Sequence, residues 1–290
     1  IDTLSIIGMA VTVVMAVLSL WCSPFRRKLR VATVDSPTVP QPLSLILMTH
    51  GNTQALADSL PLWLNQEYAA DLQITVVVDE GDHQAEDIIK RLSGNRRLYS
   101  TFVPQSSRYM SRRKLAVTLG VKAARHDWVL LADADCRPSS PQCLTAIMSH
   151  CLSEGANLIM VPVYYDGASR GFYQFERLHR ALYYIGRALR GRAYSTNSHC
   201  LAFRKRQFMD GQGFLGSLHL LWGEYATLVN KYAAPHATAI ALEDEARITQ
   251  RKPTTAEWRK EQVRALDTNR HLSHGGLYHA VYRLDQTVLY

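Results

Sequence analysis

The chain has 290 residues and a formal net charge of +8, with 47% hydrophobic and 20% charged residues. This composition is typical of a globular protein with a buried core, and it excludes an intrinsically disordered chain. The five cysteines include no Cys-x-x-Cys pair, which argues against a zinc site and a disulfide framework. The positive charge suits anionic partners such as nucleotides or lipid headgroups. Because no nucleic-acid motif accompanies it, we expect no nucleic-acid partner.

The first segment of the chain is apolar and is followed by a basic cluster. No charged residue lies between Asp2 and Arg26, and more basic residues follow directly. This pattern predicts a transmembrane helix over residues 1–25, and the positive flank predicts a single-pass membrane anchor with the rest of the chain in the cytoplasm. Residues 26–42 are basic and contain several prolines, which is typical of a linker.

Beyond the linker, short apolar runs alternate with helical patterns. Strands are predicted at Leu43–Met48, Leu72–Val78, Tyr99–Val103 and from Trp128, with helices at about 53–65, 84–92 and 111–125 between them. This alternation predicts βαβ units and a largely parallel, Rossmann-like sheet flanked by helices, an α/β fold. The sequence has neither Gly-x-Gly-x-x-Gly nor Gly-Lys-Ser/Thr, so a dinucleotide fold and a P-loop are not indicated.

The strand that begins at Trp128 ends in two carboxylates, Asp133 and Asp135. Ligands of open α/β sheets bind beyond the carboxyl ends of the strands, which is where these acids lie. Two hard oxygen donors suit Mg²⁺ or Mn²⁺ shared with a diphosphate. The alternative is that the two acids only cap the following helix.

Three stretches together resemble family 2 glycosyltransferases with the GT-A fold: Leu43–Asn52, Val76–Gly81 and Leu131–Pro138. The resemblance implies a mixed sheet flanked by helices and the transfer of a sugar from a nucleotide-diphosphate donor, preferably a UDP-sugar. It further implies an inverting reaction that depends on Mg²⁺ or Mn²⁺, and a lipid-linked or surface-glycan acceptor.

The resemblance extends over residues 43–272, which we expect to form one glycosyltransferase domain. Within it, 43–138 is the expected nucleotide-binding half and 139–272 the expected acceptor half. Residues 273–290 remain as a C-terminal tail.

The resemblance also assigns roles to individual residues. It assigns the nucleoside to Thr49, His50, Asp79 and Glu80, and the metal and sugar diphosphate to Asp133 and Asp135. Arg264 matches the arginine that holds the diphosphate, a role that suits its fork of donors. Ala265 replaces the usual tryptophan, which favours a transferase that adds a single sugar.

Basic residues on the helix that precedes the Trp128 strand offer a further contact to the phosphates of the donor. Lys114 is our expected phosphate-binding residue, with its neighbour Arg113 as the alternative. Both also fit a basic helix face in contact with solvent.

The general base of an inverting transfer is a carboxylate that takes the proton of the acceptor hydroxyl. The family places it at a helix start after a glycine, which points to Glu224, although Tyr225 replaces the second acid of the usual pair. The alternative is Asp244, within a later Glu-Asp pair. If neither acid acts as a base, the chain would be a catalytically degenerate membrane scaffold of the same fold. A nucleotidyltransferase is the alternative enzyme, because it shares the style of fold and the acidic metal ligands.

A long amphipathic helix is predicted at about 171–190. Its apolar stripe runs from Phe172 and Phe175 to Leu189, and its arginines, among them Arg177, lie off the stripe. Two interpretations stay open. The helix packs its stripe into the core with the arginines in solvent, or it contacts lipid headgroups or a lipid-linked acceptor.

Overall fold

The computed structural model describes residues 2–22, 41–105, 111–152, 155–167 and 171–273. Within these residues the strands are Leu43–Met48 (β1), Leu72–Asp79 (β2), Leu98–Val103 (β3), Trp128–Asp133 (β4), Arg137–Pro138 (β5), Leu158–Met160 (β6), Val163–Tyr165 (β7), Cys200–Arg204 (β8), Thr238–Ile240 (β9) and Ile248–Gln250 (β10). The helices are Thr3–Cys22 (α1), Thr53–Leu64 (α2), His83–Arg91 (α3), Arg112–Ala123 (α4), Cys143–Ser149 (α5), Phe172–Ala188 (α6), Lys205–Asp210 (α7), Glu224–Tyr232 (α8) and Thr255–Arg270 (α9).

The main sheet is mixed, with the strand order β3-β2-β1-β4-β8-β6-β9. β1, β2, β3 and β4 are mutually parallel, whereas β8 pairs antiparallel to both β4 and β6. A smaller sheet has the order β5-β10-β7. In the register of the main sheet, Met48 pairs with both Val77 and Asp133, so the strand ends after β1, β2 and β4 lie side by side.

The central strands are buried on both faces, which explains why they read as continuous apolar runs. In β1, Leu45 and Leu47 belong to one core cluster, and Ile46 belongs to the cluster on the opposite face. α4 approaches β1 closely at Gly120, where a Cβ would lie 2.5 Å from Ile46 Cγ2. This contact packs α4 directly against the sheet.

The predicted alternation of strands and helices and the α/β class are confirmed, with element ends within a few residues. After α5 the chain continues in two short strands, β6 and β7, which belong to different sheets. Most of the predicted linker 26–42 and of the tail 273–290 lies outside the described residues.

The predicted transmembrane helix over residues 1–25 is not confirmed. The described part of the chain contains no helix that combines the length and the apolar character needed to span a bilayer.

The interpretation in which α6 packs its apolar stripe into the core with its arginines in solvent is wrong, whereas contact of this helix with lipid stays a prediction. Phe172 is 48% exposed and Phe175 is 40% exposed, whereas Arg177 and Arg180 are each only 3% exposed. The arginines therefore point inward and part of the aromatic stripe points outward. The reason is a polar cavity beneath the helix, which is lined by both arginines.

Candidate active site

A cavity of about 290 Å³ lies beyond the carboxyl ends of the central strands. The turn after β4, the start of α4, β7, α6, the start of α8, β10 and α9 all contribute to its wall. Of the residues predicted from the sequence to act in catalysis or binding, Asp135, Glu224 and Arg264 line it. The fold therefore brings three acidic and basic residues from distant parts of the chain to one place.

Asp133 lies beneath this cavity at the centre of a network of polar contacts. Its carboxylate accepts hydrogen bonds from Arg113 Nη2 at 3.0 Å and from the Tyr225 hydroxyl at 2.9 Å. His50 Nε2 and His199 Nδ1 lie 3.6 and 3.5 Å from its oxygens. Burial opposes ionisation of Asp133, but the charge of Arg113 and the contact with His50 hold its pKa well below the ordinary value.

Asp135 lies in the cavity wall, and one of its oxygens accepts a hydrogen bond from Gln250 Nε2 at 2.7 Å. Burial, and next the nearby charge of Asp133, raise its pKa above the ordinary value. In the described residues it forms no ion pair. A buried carboxylate of this kind is stabilised in its ionised form by a bound cation.

Glu224 is the first residue of α8 and is 3% exposed. One oxygen, Oε1, accepts a hydrogen bond from Arg113 Nε. The other oxygen has no hydrogen-bond partner in the described part of the chain, and the residue lines the cavity. Burial raises the pKa of Glu224, but the charge of Arg113 outweighs this effect, so the pKa is lowered and the side chain is ionised at neutral pH.

The residues present fit a divalent metal at Asp135 better than at Asp133. His50, Asp133 and Glu224 have ligand atoms within 4.8 Å of one another, but the guanidinium of Arg113 bonds to both of these acids. That cluster therefore already contains a cation. Asp135 has no such partner, and its carboxylate is a hard oxygen donor of the kind that Mg²⁺ and Mn²⁺ prefer. Of the two acids predicted to hold a metal, Asp135 is therefore the better candidate ligand.

Arg264 presents its guanidinium to the cavity over the ring of Trp222, with 3.7 Å between Cζ and the ring centroid. No hydrogen bond or ion pair to it occurs within the described residues. Burial and the nearby charge of Arg113 lower its pKa. Arg264 lies on the face of α9 that lines the cavity. The other residues of this face are Glu257, Glu261, Ala265 and Thr268. Arg264 is therefore available to bind an anion.

Lys114 does not reach the cavity, contrary to the sequence-based prediction. Its side chain is fully buried, and Nζ donates to the main-chain oxygens of Ser217 and Leu220, the latter at 2.8 Å. Burial lowers its pKa to about 8. Its neighbour Arg113 is turned toward the cavity instead, because successive helical residues differ in direction by about 100°. Lys114 thus anchors the loop that leads to Trp222 and Glu224.

Replacing Lys114 by methionine should free this loop without weakening nucleotide binding. We expect the affinity for nucleoside diphosphate to stay within about twofold of the parent, since this residue makes no contact with the cavity. Amides of residues 213–222 should exchange hydrogen faster, because two main-chain anchors are lost. Titration calorimetry and hydrogen-exchange mass spectrometry measure the two effects. A large loss of nucleotide affinity with unchanged exchange would restore the phosphate-binding role.

Gly223 joins that loop to α8 in a left-handed conformation, with φ of 77°. A Cβ there would lie 2.3 Å from Thr268 Cγ2 on α9. Gly223→Ala should therefore lower the free energy of unfolding by more than the roughly 1–2 kcal/mol expected from the backbone conformation alone. Gly51 has the same φ and open space around it, so Gly51→Ala is the matched control for urea denaturation. Equal losses in the two variants would show that the contact with Thr268 is unimportant.

The residues predicted to hold the nucleoside lie beside the cavity rather than in its wall. Thr49 Oγ1 donates to Val77 O at 3.3 Å, Asp79 pairs with Arg112, and Glu80 accepts a hydrogen bond from the Gln105 amide at 3.0 Å. His50 Nε2 is buried without a hydrogen-bond partner in the described structure and lies 3.6 Å from the Asp133 carboxylate. All four residues follow β1 or end β2 at the edge of the sheet where Asp133 ends β4.

Asp244, the alternative base, is exposed and lies outside the cavity wall, whereas Glu224 is within it. The geometry therefore favours Glu224.

Sequence reasoning missed several functional side chains. Arg113 was only an alternative there, and Tyr225 was interpreted as a lost acid rather than as a hydrogen-bond donor to Asp133. Gln250, which joins Asp135 to Arg177, carried no signal in the sequence. Arg177 was visible as a regularly placed arginine of a helix, but the pattern does not show that it faces a cavity.

Comparison with known proteins identifies the family. The sequence model described as "Glycosyl transferase family 2" matches residues 44–211, more than half of the chain. The chain therefore belongs to glycosyl transferase family 2 and is a glycosyltransferase. No curated protein sequence matches it.

Solved structures of two glycosyltransferases are similar in fold. Mannosyltransferase PcManGT from Pyrobaculum calidifontis, in complex with GDP-Man and Mn²⁺, has a TM-score of 0.63 at 16% identity, over 90% of this chain and 74% of that one. Residues 1–349 of TarS from S. aureus, in complex with UDP-GlcNAc, have a TM-score of 0.53 at 15% identity, over 78% of this chain and 66% of that one. At such identities the likeness shows the fold alone, and it confirms the expected GT-A-like arrangement.

Proposed function

We propose that this enzyme transfers one sugar, with inversion and with the help of a divalent metal, from a nucleoside-diphosphate sugar to an acceptor hydroxyl. The observation that carries the proposal is the joint presence of Asp135, Glu224 and Arg264 in the wall of one cavity. A metal ligand, an ionised carboxylate and an unpaired guanidinium are the groups that such a transfer needs. Both GDP- and UDP-sugars are candidate donors, since one of the similar structures is a complex with GDP-Man and the other a complex with UDP-GlcNAc.

In the proposed reaction, Glu224 takes the proton of the acceptor hydroxyl as its oxygen bonds to the anomeric carbon. The bond from that carbon to the phosphate oxygen breaks at the same time, and Arg264 binds the diphosphate that leaves. A divalent cation held by Asp135 would stabilise the negative charge on that diphosphate. Arg113 keeps Glu224 ionised and fixes one of its oxygens, while the other has no hydrogen-bond partner among the described residues.

The product released from the donor tests this proposal against the alternatives. The full chain is incubated with UDP- and GDP-sugars and Mn²⁺, with and without candidate acceptors. We expect free nucleoside diphosphate in a metal-dependent reaction. Release of pyrophosphate from nucleoside triphosphate and sugar phosphate would instead identify a nucleotidyltransferase, and absence of any turnover would favour a catalytically degenerate scaffold.

The pH dependence of the reaction should respond to Arg113. The pKa of Glu224 is lowered, so its proton-accepting form is present above that pKa and is lost as the pH falls through it. In Arg113→Gln, burial and the charge of Asp133 remain and the opposing cation is gone. We therefore expect the acid limb of the kcat/KM profile to move to higher pH. Arg112→Gln, next to it but directed at Asp79, should leave the limb in place, and an identical limb in both variants would contradict the role of Glu224.

A lipid-linked or surface-glycan acceptor at the cytoplasmic face of a membrane is part of the same proposal. Its support is the sequence, in which an uncharged apolar segment precedes the basic cluster at Arg26. Cell fractionation tests the location, and recovery of the active enzyme only outside the membrane fraction would contradict it.

A further inference from the structure

Arg177 is a buried arginine of α6 that the proposed reaction does not use. Its side chain is 3% exposed and lines the cavity. The guanidinium stacks on the ring of Tyr165, 4.3 Å from Cζ to the centroid, and Nη2 donates to Gln250 Oε1 at 2.7 Å. Gln250 is itself 2% exposed and bonds to Asp135. Two contacts therefore hold the plane of the guanidinium in one orientation.

The charge of Arg177 has no ion-pair partner in the part of the chain that the structure describes. Two other arginines of the cavity wall differ in this respect: the half-buried Arg113 pairs with Glu224 and Asp133, and the buried Arg180 pairs with Glu176. Buried charges in folded proteins are normally paired, because removal from water is costly. Gln250 uses one of the five N–H donors of Arg177. The carboxylates of Glu261 and Asp135 act on the charge of Arg177 without a direct ion pair, so an anionic ligand in the cavity would provide the direct partner.

Arg177 and Arg264 line the same cavity and both lie near Glu261, but they have different direct contacts. Arg264 lies over the ring of Trp222, whereas Arg177 is joined through Gln250 to Asp135. We propose that Arg177 binds an anionic oxygen group, a carboxylate or a phosphate, that a substrate carries in addition to the donor diphosphate. This inference rests on the proposed function, because it presumes that the diphosphate is bound at Arg264.

The chemistry of the guanidinium supports this ligand class. Its planar fork of N–H donors matches two oxygens of a carboxylate or phosphate at once. Such a group has two possible sources, an acidic sugar or a phosphorylated acceptor. Glucuronate and inorganic phosphate are the corresponding probes.

The test is a second binding event on the nucleotide-bound protein. The full chain is saturated with UDP or GDP and Mn²⁺, and phosphate or glucuronate is then titrated by calorimetry. We expect saturable binding of at least one probe, weaker by roughly 10–100-fold in Arg177→Gln, the loss typical of a charged hydrogen bond. Arg177→Lys, which keeps the charge without the fork, should be weakened less. Unchanged affinity for both probes in Arg177→Gln would overturn the proposal.

Arg264→Gln is the matched control. It should weaken UDP or GDP binding and spare the second event. If Arg177→Gln loses nucleotide affinity as strongly as Arg264→Gln does, Arg177 belongs to the diphosphate site and the proposal is wrong. If the parent binds no nucleotide but binds phosphate through Arg177, the proposed function fails and the anion site stands.

If Arg177→Gln does not fold, Arg177→Lys carries the binding test alone, and parent-like affinity for both probes would then overturn the proposal.

Discussion

Replacing Glu224 by glutamine is expected to lower kcat by roughly 10²–10⁴-fold, the usual contribution of a general base. Glutamine keeps the shape of the side chain and accepts a hydrogen bond, but it cannot take the proton of the acceptor hydroxyl. Donor affinity should change much less than kcat, because Arg264, which is assigned to the diphosphate, is unaltered. Steady-state kinetics together with nucleotide titration separate the two quantities.

Asp244→Asn is the matched control for this substitution. Asp244 is exposed outside the cavity, so its variant should turn over like the parent. If Asp244→Asn stops turnover and Glu224→Gln does not, the later acidic pair supplies the base and our assignment of α8 is wrong. If neither variant differs from an active parent, neither carboxylate is the base.

Asp135→Asn is expected to remove the metal dependence of nucleotide binding. Asp135 is a buried carboxylate in the cavity wall without an ion-pair partner among the described residues, and an amide is a much weaker ligand for Mg²⁺ or Mn²⁺. Loss of groups that merely support a metal ligand costs roughly 10–100-fold in metal affinity, so loss of the ligand itself should cost at least that much. Nucleotide titrations with and without Mn²⁺ measure the effect.

Asp133→Asn separates the two acids of the motif. Its carboxylate is bound by Arg113 and Tyr225, so its replacement should disturb these side chains and lower stability while part of the Mn²⁺ response remains. The opposite outcome, in which Asp133→Asn abolishes the Mn²⁺ response and Asp135→Asn keeps it, would place the metal at Asp133.

The fold could be predicted largely from the sequence because the central strands are buried on both faces. Such strands appear as apolar runs, and β1 and β4 were predicted at their observed starts. The acidic pair was also predictable, since Asp133 and Asp135 directly follow an apolar run whose end must lie at the edge of the sheet. Glu224 and Arg264 required the family resemblance, because helix starts and charged helix faces are common.

The details that could not be predicted depend on which way a side chain points. Arg113 and Lys114 are adjacent, yet the first lines the cavity and the second anchors the loop, and no local pattern distinguishes their directions. In α6 the apolar periodicity favoured an aromatic stripe that faces the core. In the structure Arg177 is buried in the wall of the polar cavity, and Phe172 and Phe175 are exposed. The partner of that arginine, Gln250, lies 73 positions along the chain, beyond the reach of local patterns.

The central claim is that the cavity between β4 and α9 binds the donor diphosphate. A crystal structure of the full chain with UDP or GDP and Mn²⁺ tests it most directly. We predict that the metal lies on Asp135, that the diphosphate lies between this metal and the guanidinium of Arg264, and that the nucleoside extends toward His50. Nucleotide bound elsewhere, with the cavity empty and Arg264 still on Trp222 alone, would contradict the claim.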